Sequence, residues 1–482
     1  MAESTNENLE MVQDMISILP DEILQLILEK LPLEDAVKTG CLSRRWKDVW
    51  KYITRISFES SWVESTGKEI VPSLDHFVSL HQGPKVKCFS FEMTYELNMA
   101  DQVNSWILFA VKKNVERLCL DFDVDRVNYE LNTEHDPCYE LHSRVFTCES
   151  LVSLTLRFCR LKFPDLFHLR YLRTIKLWQI ELPDKTLQKV TSNTPVLEEL
   201  VLIECSRTFD FYIDVAPNPN FHTLEIVEEL SEVHSWTVIE INAPSVRKLV
   251  MCQCMPRLEY RIKNISQCHE VRLNFDSMFG AVQVEENGGF RDYEDILLKL
   301  LSNFKHARTL RLCNWCIQLL SVREVRKFTG SLSFSCTHLD LYTCFQMWET
   351  PGIAYILKAC HDVENLVILI DEYDGHAVLQ IYDVLTLYDF EEISKFWRNE
   401  DYSLVGHLKN LKVVEFKETR EEYHIMNNGT FELHTFFKER ELGMHLVDLL
   451  MENADNLKCV VFSSDKQQHV IYRKDVDVVD KV

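Results

Sequence analysis

The side chains able to carry chemistry are few and loosely grouped. Cys313-Asn-Trp-Cys316 has the spacing of a dithiol redox pair, in which one thiolate attacks and the second resolves. Cys252, Cys254, Cys268 and His269 offer donors that a tetrahedral zinc site accepts. Both readings compete with a structural one. Cys254 and Cys268 occupy regular positions of a repeating apolar phrase, and the Cys313–Cys316 pair lies on such a strand and its following turn. A buried thiol there behaves as a small hydrophobe. The structural reading is the stronger. The sequence has no phosphate-cradling Gly-rich loop, no Gly-x-Ser-x-Gly elbow and no His-Glu-x-x-His helix. No catalytic residue, cofactor or metal is expected, so function must come from surfaces that bind.

The 482 residues are 46% hydrophobic and 26% charged, a globular composition. Against 75 Asp+Glu stand 52 Lys+Arg, and the net charge of −23 excludes a broad basic footprint for nucleic acid or an anionic membrane. The first residues, Met1-Ala2-Glu3-Ser4, lack the basic flank and apolar run of a secretory signal. Apolar stretches such as 106–111 and 366–370 fall far short of the ~20 residues that span a bilayer. Sixteen cysteines without an export signal read as reduced thiols. The expected setting is the cytoplasm, the nucleus or both, with no membrane or nucleic-acid partner.

One phrase recurs along most of the chain: apolar, two residues, apolar, one residue, apolar. It appears at Leu151-Val-Ser-Leu154-Thr-Leu156, Leu172-Arg-Thr-Ile175-Lys-Leu177, Leu197-Glu-Glu-Leu200-Val-Leu202 and Phe221-His-Thr-Leu224-Glu-Ile226, and continues through Leu249 and Val271. The intervals from Leu154 to Val271 are 21 to 25 residues, the period of leucine-rich repeats. Wider copies centre on Leu310, Leu339, Leu366 and Leu411, and irregular ones on Phe89 and Leu118. Alternation with period 2 makes each phrase a short strand with one apolar face. Cys159, Cys205, Cys254 and Cys344 follow at the position where the repeat takes Asn or Cys. Return legs at 103–111, 296–301 and 353–360 carry apolar residues at helical spacing. The expected class is α/β: a small N-terminal helical module, then a solenoid with a curved parallel sheet and helices on its convex side.

Residues 16–56 break the pattern. Pro20, Asp21 and Glu22 open a helix in which Ile23, Leu24, Ile27, Leu28 and Leu31 form a wide apolar stripe, and Pro32 stops it. Residues 33–39 suggest a second helix, and Leu42, Trp46, Val49 and Trp50 the apolar face of a third. About forty residues do not bury so much apolar surface alone, so a partner, or the repeats themselves, must cover it.

Ile18-Leu-Pro-Asp-Glu-Ile-Leu24, Leu31-Pro-Leu-Glu-Asp-Ala-Val37 and Cys41-Leu-Ser-Arg-Arg-Trp-Lys-Asp-Val-Trp50 closely resemble the F-box of the plant F-box/FBD/LRR-repeat proteins. The segment 145–156 resembles the phrase that opens that family's repeats, and 408–416 with 449–454 its C-terminal FBD region. The resemblance implies an acidic N-terminal tail over 1–15, an F-box over 16–57 and repeats over 84–370. An acidic insertion at 371–401, an FBD-like region at 402–465 and a tail at 466–482 would follow. It further implies a non-catalytic subunit of a ubiquitin ligase. The F-box would bind a Skp-type adaptor, and through it a cullin scaffold, by Leu19, Pro20, Ile23, Leu24, Ile27, Pro32, Leu33, Val37, Leu42, Ser43, Trp46 and Trp50. The repeats would hold a protein substrate for ubiquitination and degradation. Two alternatives stay open: an interaction scaffold that promotes no ubiquitination, and a small-molecule co-receptor.

The outward strand positions form two rows. Thr155, Lys176, Val201, Glu225, Val250, Arg272, Arg311 and Asp340 make the first; Arg157, Trp178, Ile203, Val227, Cys252, Asn274, Cys313 and Tyr342 the second. An apolar middle bounded by an aromatic and arginines suits a protein partner. Arg157, Lys176, Trp178, Val201, Ile203, Val227, Val250, Arg311 and Tyr342 are therefore the candidate substrate contacts, unless another segment covers the apolar ones.

Overall fold

A computed structural model describes residues 16–472 apart from 17, 59–68, 123–137, 165–168, 183–185, 206–210, 217, 229–237, 254–258, 276–289, 326–331, 344–348, 371–407, 419–445, 448–449, 452–453, 455 and 464–467. The acidic insertion, the tail 1–15, Cys254 and Cys344 lie outside the described residues. The chain divides into two units, Met1–Ile180 and Glu181–Val482.

The first unit opens with helices α1 (Asp21–Leu28) and α2 (Leu33–Lys38). Pro20 and Pro32 stand at their N-caps, where a missing N–H costs nothing, and Asp21, Glu22, Glu34 and Asp35 meet the positive helix ends. The expected third helix does not form. Residues 39–41 and 49–52 are short 3-10 turns, joined by turns in which Trp46 N–H donates to Ser43 O (3.1 Å) and Val49 N–H to Trp46 O (3.2 Å). Ser43 Oγ accepts from the Arg45 N–H at 3.2 Å, and this local bond competes with the helical ladder.

Parallel strands β1 (Arg55–Phe58), β2 (Cys88–Glu92) and β3 (Arg117–Asp121) follow; β4 (Tyr139–Glu140) and β6 (Cys159–Arg160) pair apart from the main sheet, which continues with β5 (Ser153–Arg157) and β7 (Thr174–Trp178). Register is strict. Ile56, Phe89, Leu118, Leu154 and Ile175 form one buried row, and Phe58, Phe91, Leu120, Leu156 and Leu177 the next. Helices α3 (Ile70–Leu80) and α4 (Ala100–Lys112) cover this core, α4 as its periodicity predicts. The strand that opens the sheet, β1, begins inside the segment expected to close the F-box.

The second unit repeats the scheme. Its main sheet runs β8 (Glu199–Ile203), β10 (Thr223–Glu228), β12 (Lys248–Gln253), β14 (Glu270–Phe275), β15 (Thr309–Leu312), β16 (His338–Thr343), β17 (Asn365–Ile370), β18 (Val413–Glu418), β19 (Cys459–Ser463), with β20 (Gln468–Tyr472) antiparallel to β19. Leu200, Leu224, Leu249, Val271, Leu310, Leu339, Leu366, Val414 and Val460 make its first buried row. β20 lies where a tail was expected; its Val470-Ile-Tyr472 has the β-branched and aromatic content that favours a strand.

The return legs α5 (Thr186–Asn193), α6 (Phe290–Leu301), α7 (Asn314–Val325) and α8 (Thr350–Ala359) are helical. Three others are strands instead. β9 (Phe211–Asp214), β11 (Val238–Asn242) and β13 (Glu259–Lys263) form a second parallel sheet, because Phe211-Tyr-Ile213 and Ile239-Glu-Ile241 alternate with period 2. Around α7 the packing is dense. A Cβ on Gly352 would lie 2.0 Å from the Ile317 carbonyl oxygen, so only glycine lets α8 approach.

Candidate functional site

Two surfaces carry the sites expected from the sequence. In the N-terminal module, Leu24 and Leu28 point inward one helical turn apart and bury with Leu33, Ala36, Trp46 and Val49. Their neighbours face water. Among the described residues, nine of the thirteen large apolar or aromatic side chains left well exposed fall within residues 16–52, led by Leu42 at 69% and Ile18 at 61%. Ile16, Ile23, Leu26, Ile27, Leu31, Val37 and Tyr52 complete the set. The twelve residues expected to contact an adaptor therefore separate by role. Ile23, Ile27, Val37 and Leu42 are exposed apolar side chains, and Pro20 and Pro32 are exposed at the helix starts. Leu24, Leu33 and Trp46 are buried in the module's interior.

Polar staples fix that shape. Arg45 pairs with Asp21 (2.7 Å) and donates to Leu19 O (3.0 Å), tying the turn after α2 to the start of α1. Trp50 Nε1–H donates to Lys47 O (3.0 Å), and the Trp50 ring lies 5.6 Å from that of Phe77 on α3. Thr54 bonds to Glu29, and Tyr52 OH donates to Gln82 (2.8 Å). Trp50 thus faces the repeats as much as solvent. Exposed Ile16, Ile18, Leu26 and Leu31 were not among the candidate contacts, although Leu26 follows Ile23 by three positions on the same helix face.

The second surface is the strand face opposite the core. In the first unit Arg157 and Trp178 stand in register, with the guanidinium 6.0 Å from the indole centroid, 3.4 Å from Asp121 and donating to Gln179 at 3.2 Å. Among the described residues the buried Trp178 indole N–H has no acceptor. Lys176 stands beside Thr155. In the second unit Val201, Glu225, Val250, Arg272, Arg311 and Asp340 align across successive strands. The apolar middle is less open than expected. Val201 and Val250 are buried and stand in register on either side of Glu225. Ile203 and Val227 stay half-buried. Arg311 pairs with Asp340 (2.7 Å) and Glu270 (3.5 Å). Cys313 leaves the outward row altogether: its thiol accepts from Phe275 N–H (3.1 Å) and donates to Phe275 O (3.4 Å) inside the core.

A family model described as "At1g61320/AtMIF1, LRR domain" matches residues 77–420, and one described as "F-box domain" matches residues 16–56. This chain belongs to the F-box/LRR-repeat family. F-box/LRR-repeat protein At3g03360 of Arabidopsis thaliana is 26% identical over 367 residues, 74% of this chain and 70% of the relative. F-box/LRR-repeat protein At5g02910 of the same plant is 26% identical over 409 residues, 84% and 82%. FBD-associated F-box protein At5g56370 is 26% identical over 396 residues, 79% and 80%. The F-box match overlaps the exposed apolar residues, and the leucine-rich-repeat match overlaps the strands bearing the second surface.

The thiols of this F-box/LRR-repeat chain fit structural roles. Cys316, on the first turn of α7, is fully buried, and burial pushes its thiol well above the ordinary range, where it is protonated and a poor nucleophile. Cys268 is pushed up to about 12 by burial and donates to Glu270 O (3.4 Å). Cys252 stands in register with Asn274 near the C-terminal end of β14, whereas Cys268 precedes the start of that strand. Among the described residues no cluster of three or more His, Cys, Asp or Glu is arranged to hold a metal, and no helix is long and apolar enough to cross a membrane. A cavity of about 570 Å³ in the first unit is lined by Tyr95, Asn104, Tyr139, Glu140, Lys162 and Phe163.

Proposed function

We propose that this chain is the substrate-recognition subunit of a Skp–cullin–F-box ubiquitin ligase, working in the cytoplasm, the nucleus or both. Residues 16–52 bind the Skp-type adaptor and so the cullin scaffold, while the strand face holds a protein substrate. The observation that carries this reading is the concentration of exposed apolar side chains on the module. Such a patch marks a protein contact, and each anchor that becomes fully buried contributes ~1.5–3 kcal/mol before the costs of association. Pro20, Ile23, Ile27, Pro32, Val37 and Leu42 touch the adaptor in this account. Leu24, Leu33 and Trp46 brace them from beneath, and Leu19 and Ser43 act with Arg45 to set the turn after α2.

The chemistry belongs to the assembly. The chain itself forms no bond; it raises the effective concentration of a substrate lysine near an activated ubiquitin held by a partner enzyme. The test is co-purification of a Skp-type adaptor with the full chain. Ile23→Asp combined with Leu42→Asp removes two exposed anchors without touching the core, so adaptor recovery falls about 100-fold while the protein stays folded. Unchanged recovery would overturn the assignment. Under proteasome blockade, a substrate receptor accumulates ubiquitinated partners and a scaffold does not.

A further inference from the structure

Arg272 stands out among the described residues of the second unit's strand face. It lies on β14, in register between Val250 and Arg311. Arg311 is neutralised by Asp340 and Glu270; among the described residues Arg272 has no carboxylate partner. Its Nε–H is buried with no acceptor, and its guanidinium lies 5.8 Å from the Tyr342 centroid, two strands away. Between these two strands Cys313, which follows β15, turns its thiol into the core. The side chain as a whole is half-buried, and the open part of a guanidinium without a carboxylate partner forms a charge-assisted hydrogen bond with a bound carboxylate.

We propose that Arg272, stacked on Tyr342 and flanked by Asn274, binds an aspartate or glutamate side chain of an extended substrate segment. This inference rests on the substrate-receptor reading and names the chemistry of its second surface. One uncompensated positive charge matches one carboxylate. A phosphate dianion needs more than this arginine supplies, and the chain's net charge of −23 disfavours it further. The apolar part of the segment lies against Ile203 and Val227. From Val227 to β15, which the Arg272 side chain crosses towards Tyr342, is three strand spacings, ~14 Å, which an extended chain crosses in about four residues. The recognised pattern is an apolar residue followed about four positions later by Asp or Glu.

The test is selection of a displayed random twelve-residue peptide library on the full-length protein, followed by synthetic arrays carrying Glu, Gln, phosphoserine or Lys at the acidic position. Wild type enriches Asp and Glu at that spacing, with Gln binding about tenfold weaker. Arg272→Gln loses the acid preference and keeps the apolar one. Arg272→Glu shifts it towards Lys or Arg, a gain that misfolding cannot produce. No acid enrichment on wild type, enrichment untouched by Arg272→Gln, or phosphoserine bound more tightly than Glu each overturns the proposal. Acid enrichment in a protein that fails to recover the adaptor leaves this site standing without the ligase reading. Ubiquitinated partners without acid enrichment do the reverse.

Discussion

The N-terminal module and the second unit solve opposite problems with similar residues. The module, with seven Lys and Arg against six Asp and Glu in residues 16–56, turns its charges into staples such as Arg45–Asp21 and exposes its aliphatics. The second unit buries nearly every large aliphatic; among its described residues only Tyr212 is left well exposed among the large apolar and aromatic side chains. There the strand face is set by pairs such as Arg311–Asp340, with Arg272 as the exception. The difference teaches where each surface gets its specificity. On the proposed readings, a partner of the module is chosen by shape and apolar area, whereas a partner of the strand face is chosen by whether it completes a charge.

Substitutions that separate interior from surface test this contrast most strongly. Leu24→Ala empties a wholly buried site and lowers stability by about 3 kcal/mol in urea unfolding, whereas Ile23→Asp with Leu42→Asp leaves the midpoint within about 0.5 kcal/mol. Equal losses from both would erase the division of roles within the module. In the second unit, Gly352→Ala forces α8 away from Ile317 and destabilises by about 2 kcal/mol, yet adaptor recovery by the folded fraction is unchanged. A concurrent fall in adaptor recovery would mean the two regions are not independent.

Acid titration probes where the module meets the repeats. His81 is buried, its Nε2 2.9 Å from Ile53 O, and burial lowers its pKa below the ordinary 6.5, with Lys113 adding to the effect. The unfolded state therefore takes up the proton first. This contribution to stability is complete above about pH 6.5 and is lost as pH falls through the lower folded-state value. His81→Phe should flatten the acid limb of a stability–pH curve, and an unchanged limb would remove His81 from the account. The smallest effect belongs to Arg45→Ala, which loses an exposed pair and one backbone bond; about 0.5 kcal/mol is expected by chemical unfolding.

The rows were legible because Leu-x-x-Leu-x-Leu phrases state both strand and inward face; Leu154, Leu200 and Leu249 stand where their spacing puts them. Apolar residues at helical spacing over 103–111, 296–301 and 353–360 marked return legs that form helices at 100–112, 290–301 and 350–359. What escaped depends on neighbours distant in sequence. Short return-leg strands such as 211–214 are too brief for periodicity to separate from loop. Val201 and Val250 count as outward by alternation, yet both are buried, which spacing within one strand does not state. Arg272 reads as one more surface arginine until the partners of its neighbours are known.

The zero offset between parallel strands has a consequence at the level of the gene. Lys248 stands opposite Glu270, so excising one repeat length between equivalent positions brings residues of the same facing together and leaves both buried rows continuous. Losing a single residue inside a strand inverts that strand's face. Exchange in whole repeats thus alters the outward strand face while keeping the buried rows in step.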